Sequence, residues 1–135
     1  MNSKDSCPCK SGKSYSECCA LAHTNIKNVK TAEQLMRSRY SAFALANSEY
    51  LHLSHHSTTR PKSLRERQAS IAWAKSVTWT GLQIIDTQKG GESDKEGIVE
   101  FKALFLENGK MDLIHERSTF VKENGHWVYF EALIR

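Results

Sequence analysis

The chain is 135 residues long, 39% hydrophobic and 25% charged, with a formal net charge of +4. That length suits one compact domain with a small appendage and a core of its own, and the composition excludes a disordered chain. No apolar run approaches the ~20 residues of a membrane span.

The opening residues, Met1-Asn2-Ser3-Lys4-Asp5-Ser6, lack the apolar core of a signal peptide, so a cytoplasmic protein with no membrane association is expected. All four cysteines then fall in one segment, Cys7-Pro8-Cys9-Lys10-Ser11-Gly12-Lys13-Ser14-Tyr15-Ser16-Glu17-Cys18-Cys19. A disulfide framework would spread its cysteines to staple distant loops. Here the C-x-C-x8-C-C spacing closes one small loop around one point, as a tetrahedral thiolate site requires, and zinc is the usual occupant. Two disulfides or free thiols are the alternatives, and His23 is a substitute ligand if one cysteine is unused. A closed shell of Cys7, Cys9, Cys18 and Cys19 has no open coordination position, so the metal would be structural. Pro8 stiffens the first pair, Ser11-Gly12 supplies a turn, and Ser14 to Glu17 has capping-box spacing for a short helical turn.

The run Cys7-Pro8-Cys9-x-Ser11-Gly12-Lys13-x-Tyr15-x-x-Cys18-Cys19 resembles the SEC-C motif, the zinc-binding tail of the SecA translocation motor and of many other bacterial proteins. One departure is Lys10, where that motif has Gly; if the position needs a positive φ, Lys costs stability there. The motif is expected to fold only with its metal, and the rest of the chain to stand without it.

Downstream, residues 21–30 have few apolar side chains and read as a linker. Thr31 and Gln34 form a second capping box, opening a helix to about Ala46. Leu35, Met36, Arg39, Ala42, Phe43 and Ala46 share one face of it, and Arg37 points away. A shorter helix is expected over residues 48–55, with His55-His56 solvated. Ser63 and Glu66 cap a third helix to about Lys75. The period then changes to two: strands are expected over 77–87, 98–106, 112–121 and 127–134, with Asn108-Gly109 and Asn124-Gly125 as two-residue hairpin turns. Three helices before a four-stranded antiparallel meander make an α+β fold with the helices on one face of the sheet.

The segments Met36-Arg37-Ser38-Arg39-Tyr40-Ser41-Ala42-Phe43, Val99-Glu100-Phe101-Lys102-Ala103, His115-Glu116-Arg117-Ser118-x-Phe120 and Gly125-x-Trp127-x-Tyr129, with Trp79, are similar to the bacterial YchJ family. That resemblance implies a SEC-C motif at residues 1–22 joined to a cystatin-like, or nuclear transport factor 2-like, cone at residues 31–135. It implies no biochemical activity.

The two turns set register. Phe101 is expected opposite Glu116, Val99 opposite Ser118, Phe120 opposite Tyr129 and Ser118 opposite Glu131. One sheet face then carries Val99, Phe101, Ala103, Phe105, Ile114, Phe120, Trp127 and Tyr129, together with Glu116, Ser118 and Glu131. A carboxylate on an apolar face needs a partner. Arg39, in the middle of its helical stripe, is expected to reach Glu116 or Glu131. That cluster is either a structural ion pair or the polar patch of a cone-shaped pocket walled by Arg39, Tyr40, Trp79, Phe101, Glu116, Ser118, Tyr129 and Glu131.

Three function classes follow. The first is a binding or adaptor protein with structural zinc, presenting the basic surface of Lys4, Lys10, Lys13, Lys27 and Lys30 to an acidic protein. The second is a small-molecule-binding protein, or an enzyme using Glu116 or Glu131 as general base in the cone. The third is nucleic-acid binding by the basic front half: residues 1–70 carry 11 Lys and Arg against 5 Asp and Glu, and residues 71–135 carry 8 against 10. No catalytic triad, open metal site or cofactor loop supports catalysis. The lysine-bearing segment from Lys4 to Lys30 contains only Tyr15 as an aromatic, which argues against nucleic acid.

Overall fold

A computed structural model describes residues 2–134, the side chain of Ile134 excepted. The sheet is an antiparallel meander in the order β1-β2-β3-β4, formed by Thr78–Lys89, Glu96–Glu107, Lys110–Glu123 and His126–Ile134. Four helices precede it: α1 Cys19–Thr24, α2 Ala32–Ala44, α3 Ser48–Leu53 and α4 Leu64–Ser76. The α+β architecture is as the sequence predicts, with one more helix than expected.

Local chemistry explains the element ends. The Thr31 hydroxyl accepts from Gln34 N at 3.1 Å, and the Gln34 side chain accepts from Lys30 N at 2.7 Å. Ser63 caps α4 through Glu66 N at 3.1 Å. The cap expected at Ser14 does not form. Ser14 is extended and bridged to Ser6, its hydroxyl meets that of Ser16, and the following turn is 3-10. At the far end of α2, Asn47 N donates to Ala42 O and Ala46 N to Phe43 O, a Schellman closure that puts Ala46 at φ 55°.

Residues 21–30 are not a linker. Ala22 in α1, then Ile26 and Val29 around a 3-10 turn, are buried in the same cluster as Leu35 and Trp127. Three apolar residues at helical spacing suffice because the whole segment lies against α2 and β4. The Trp127 indole clamps it, donating to Lys30 O at 3.2 Å.

Helix α2 packs on β1, β2 and β4. The sheet face beneath it buries Val99, Phe101, Ala103, Phe105, Phe120 and Trp127, as the alternation requires. The hairpin β2–β3 holds the expected register from Glu107↔Lys110 through Phe101↔Glu116 to Val99↔Ser118. The β3–β4 hairpin holds it from Glu123↔His126 to Phe120↔Tyr129, then slips: Thr119 faces Glu131 and Ser118 faces Ala132. The extra residue is Phe130, and this bulge turns Glu131 and Ala132 to the faces opposite those expected; a second slip follows at Leu133, before Arg117↔Ile134. Glu131 is therefore exposed on the outer face instead of joining Glu116.

His55 and His56 are not solvated either. His56 N donates to Tyr129 O, Tyr129 N donates to Ser54 O, and the His55 ring stands edge-on to Tyr129 with centroids 5.0 Å apart. The segment after α3 is thereby stapled to the edge strand β4.

Candidate metal centre and aromatic cavity

The thiols of Cys7, Cys9, Cys18 and Cys19 all lie within 4.8 Å of one another. Cys9 and Cys18 are 3.6 Å apart and Cys18 and Cys19 are 3.9 Å apart, and none is in a disulfide. A tetrahedral metal with bonds of about 2.3 Å to sulfur needs sulfur edges of roughly 3.8 Å, so the four side chains fit a metal as they stand.

The backbone prepares that geometry. Cys7 N donates to Lys13 O and Lys10 N to Cys7 O, which closes a tight turn with Lys10 at φ 62°. This is the left-handed position where glycine is the unstrained choice. The Cys18 pair is delivered by the 3-10 turn Tyr15–Glu17 at the start of α1.

Electrostatics leaves Cys7, Cys18 and Cys19 in competition for protons. Hydrogen bonds from Cys19 and Cys9 pull the Cys7 thiol far below its ordinary value. Cys19 is pushed far up because its proton serves Cys7, and burial pushes Cys18 up. A cation at the centre replaces the shared protons and lets all four ionise.

The cluster is set into the main core. Cys7, Cys9 and Cys19 are buried with the side chains of α2. The Cys7 sulfur meets the Ser41 hydroxyl at 3.5 Å, and Arg37 Nη1 donates to Cys9 O at 3.0 Å. His23 is not part of the cluster among the described residues. Its Nε2 donates to Ser38 O at 2.8 Å, so its Nδ1 accepts from the Tyr15 hydroxyl at 2.7 Å. Burial holds this ring below its ordinary pKa, in the neutral form.

The second feature lies between α2, α4 and the sheet: a cavity of about 170 Å³ walled by Met36, Arg39, Tyr40, Phe43, Trp73, Trp79, Phe101, Ala103, Ile114, Glu116 and Tyr129. Six of the expected residues are in this wall. Ser118 is not, being fully buried and donating to Glu116 Oε1 at 3.0 Å. Glu131 is on the other face, as the bulge dictates. Tyr129 also donates to Glu116 Oε1, at 3.3 Å.

Arg39 is 7% exposed, as its place in the stripe predicts, but among the described residues it makes no ion pair with Glu116 or Glu131. Its Nη1 donates to the Ser54 hydroxyl at 2.9 Å and to Leu51 O at 3.0 Å, and its guanidinium lies 5.0 Å from the Tyr129 ring centroid. The end of α3, rather than the sheet, supplies the acceptors. Burial pushes Arg39 down to about 10, which leaves it charged at neutral pH. Sequence reasoning missed Trp73. It sits on a helix in which only Ala74 is buried, so no apolar stripe marks it. Its indole donates to Glu107 at 3.1 Å and stands edge-on to Trp79 and Phe105.

The helices on a curved four-stranded meander, with a four-thiol loop in front, define an NTF2-like domain preceded by a SEC-C motif. A profile of the YchJ middle NTF2-like domain matches residues 31–132. A UPF0225 protein of Vibrio parahaemolyticus is 42% identical over 127 residues, covering 94% of this chain and 74% of its own. A UPF0225 protein of Photorhabdus laumondii is 44% identical over 130 residues, covering 94% and 79%. The crystal structure of a SEC-C motif containing protein from Psychrobacter arcticus matches with a TM-score of 0.77 at 29% identity, over 98% of this chain and 84% of that one. The solution structure of a SEC-C motif containing protein from Rhodopseudomonas palustris matches at 0.78 and 32%, over 100% and 99%. The chain belongs to the YchJ (UPF0225) family. No helix among the described residues is long and apolar enough to cross a membrane.

Proposed function

We propose that this chain is a zinc-containing binding protein in which Cys7, Cys9, Cys18 and Cys19 hold one structural zinc and the surface around them engages an acidic partner protein in the cytoplasm. Four thiolates suit zinc, and a closed shell leaves it no catalytic position. The observation that carries the binding role is the set of exposed lysines in and just after the motif: Lys4, Lys10, Lys13, Lys27 and Lys30 all face solvent. Leu21, 52% exposed, adds an apolar contact beside them. Immobilised zinc-loaded protein is compared with a Lys10→Glu, Lys13→Glu, Lys27→Glu variant in capturing partners from an extract with and without nuclease treatment. Capture of acidic protein by the first and not by the second supports the role. Equal capture by both, or capture abolished by nuclease, overturns it, and the latter favours nucleic acid.

A second reading rests on the cavity beneath α2: a small molecule binds in the cone. Its walls are aromatic, its volume suits one ring, and a buried cation stands at its edge. In this reading Glu116, which accepts from Ser118 and Tyr129, is the carboxylate in the pocket wall, since Glu131 faces the other way.

A further inference from the structure

Arg39 stands between two cavities. Beside the aromatic one lies a second, of about 130 Å³, between α2, α3 and α4, and both share Arg39 and Phe43 as walls. The smaller cavity is lined further by Arg67, His52, His55 and the hydroxyl residues Ser48 and Ser70, with no carboxylate in its wall. The Arg67 guanidinium has no hydrogen bond or ion pair among the described residues. The field there is cationic: Arg39 and Arg60 help to hold His55 neutral, and Arg60 and Arg67 do the same for His52, each after burial itself.

Among the described residues Arg39 spends only Nη1 on the protein and has no carboxylate within ion-pair distance, Glu116 acting on it from farther off. Nε and Nη2 make no hydrogen bond among the described residues and are not among the sealed polar atoms. These two N–H groups form the side-on fork of a guanidinium, the edge that matches the two oxygens of a carboxylate. A buried cation with an open fork is costly to leave unpaired, and the wall of the smaller cavity offers it no anion.

We propose that the chain binds a small organic monocarboxylate, with its carboxylate on the Nε/Nη2 edge of Arg39 beside Arg67 and its single ring or branched chain in the aromatic cavity. The size follows from the cavity: about 170 Å³ is near the ~150 Å³ that accepts a benzene ring in a protein interior. This inference rests on the second reading above and adds the charge and the residue that read the ligand.

The test is a titration of ¹⁵N-labelled, zinc-loaded full-length protein with phenylacetate, and in parallel with phenylacetamide, which has the same ring without the charge. Backbone amides of α2 to α4, the Trp73 and Trp79 indoles and the Arg39 Nε–H resonance are followed. Phenylacetate is expected to saturate, move the Arg39 Nε–H signal and bind about tenfold or more tightly than the amide. Arg67→Gln, on a half-exposed side chain that the fold does not need, should weaken phenylacetate severalfold and leave the amide unchanged. Equal binding of acid and amide leaves the cavity reading standing and overturns the carboxylate assignment. Saturable binding of neither, or shifts confined to another surface, overturns both.

Discussion

Arg37 joins the metal loop to helix α2: its Nη1 donates to the Cys9 carbonyl oxygen at 3.0 Å while its Nε holds Glu33 at 3.1 Å. With Ser41 against Cys7 and His23 against Ser38, this makes the cysteine loop a built-in part of the helical layer. A charged donor to a buried carbonyl contributes about 1 kcal/mol at a partly exposed site. Arg37→Ala should therefore leave the fold intact and speed transfer of zinc to a chromogenic chelator by about fivefold. Unchanged release would mean that the contact does not support the loop.

Of the five non-glycine residues in left-handed backbone, Lys10 at φ 62° and Ala46 at φ 55° close a turn and a helix end where glycine is the unstrained choice. The conformation costs an L-residue roughly 1–2 kcal/mol, of which the freer unfolded chain of a glycine returns part. Lys10→Gly and Ala46→Gly should each stabilise the zinc-loaded protein by about 0.5–1 kcal/mol, read as a rise in urea midpoint at constant slope. A lowered midpoint would show that the side chain makes contacts worth more than the strain.

Removal of the metal should loosen more than the motif. Cys7, Cys9 and Cys19 share a core with Leu35, Tyr40 and Tyr50. Chelation is expected to speed amide exchange in the cysteine loop, in α1 and along the Ser38–Ser41 turn of α2, while β2 and β3 stay protected. Protection lost uniformly across the sheet would contradict this.

His55 gives stability a pH dependence. Burial first, then Arg39 and Arg60, push it from the ordinary 6.5 down to about 3. The folded state thus prefers the neutral ring. Its contribution is complete above about pH 6.5 and is lost as pH falls from there toward 3, by up to about 1.4 kcal/mol per pH unit. His55→Gln should flatten the stability–pH curve between pH 6 and 4, roughly the window these values set, as measured by urea unfolding. An identical slope in the variant would remove His55 as the cause.

Much of the fold was legible because turn chemistry is local. Asn108-Gly109 and Asn124-Gly125 all have positive φ, as such hairpin turns demand, and each set its register by counting outward. The count first failed at Phe130 and again at Leu133, where an inserted residue has no signal of its own in the sequence, and Glu131 was placed on the wrong face as a result. Arg39 was legible as buried from the stripe of α2, but its partners were not. A buried guanidinium was matched to carboxylates, whereas the end of α3 offers it a hydroxyl and a carbonyl oxygen. Residues 21–30 were misread because three apolar side chains look sparse until α2 and β4 are there to bury them.

The central claim is that the four cysteines hold one structural zinc, and native mass spectrometry of freshly purified full-length protein tests it most directly. The account predicts one zinc per chain with all four thiols reduced, lost together on acidification. A metal-free chain lighter by four hydrogens, carrying two disulfides, would contradict it.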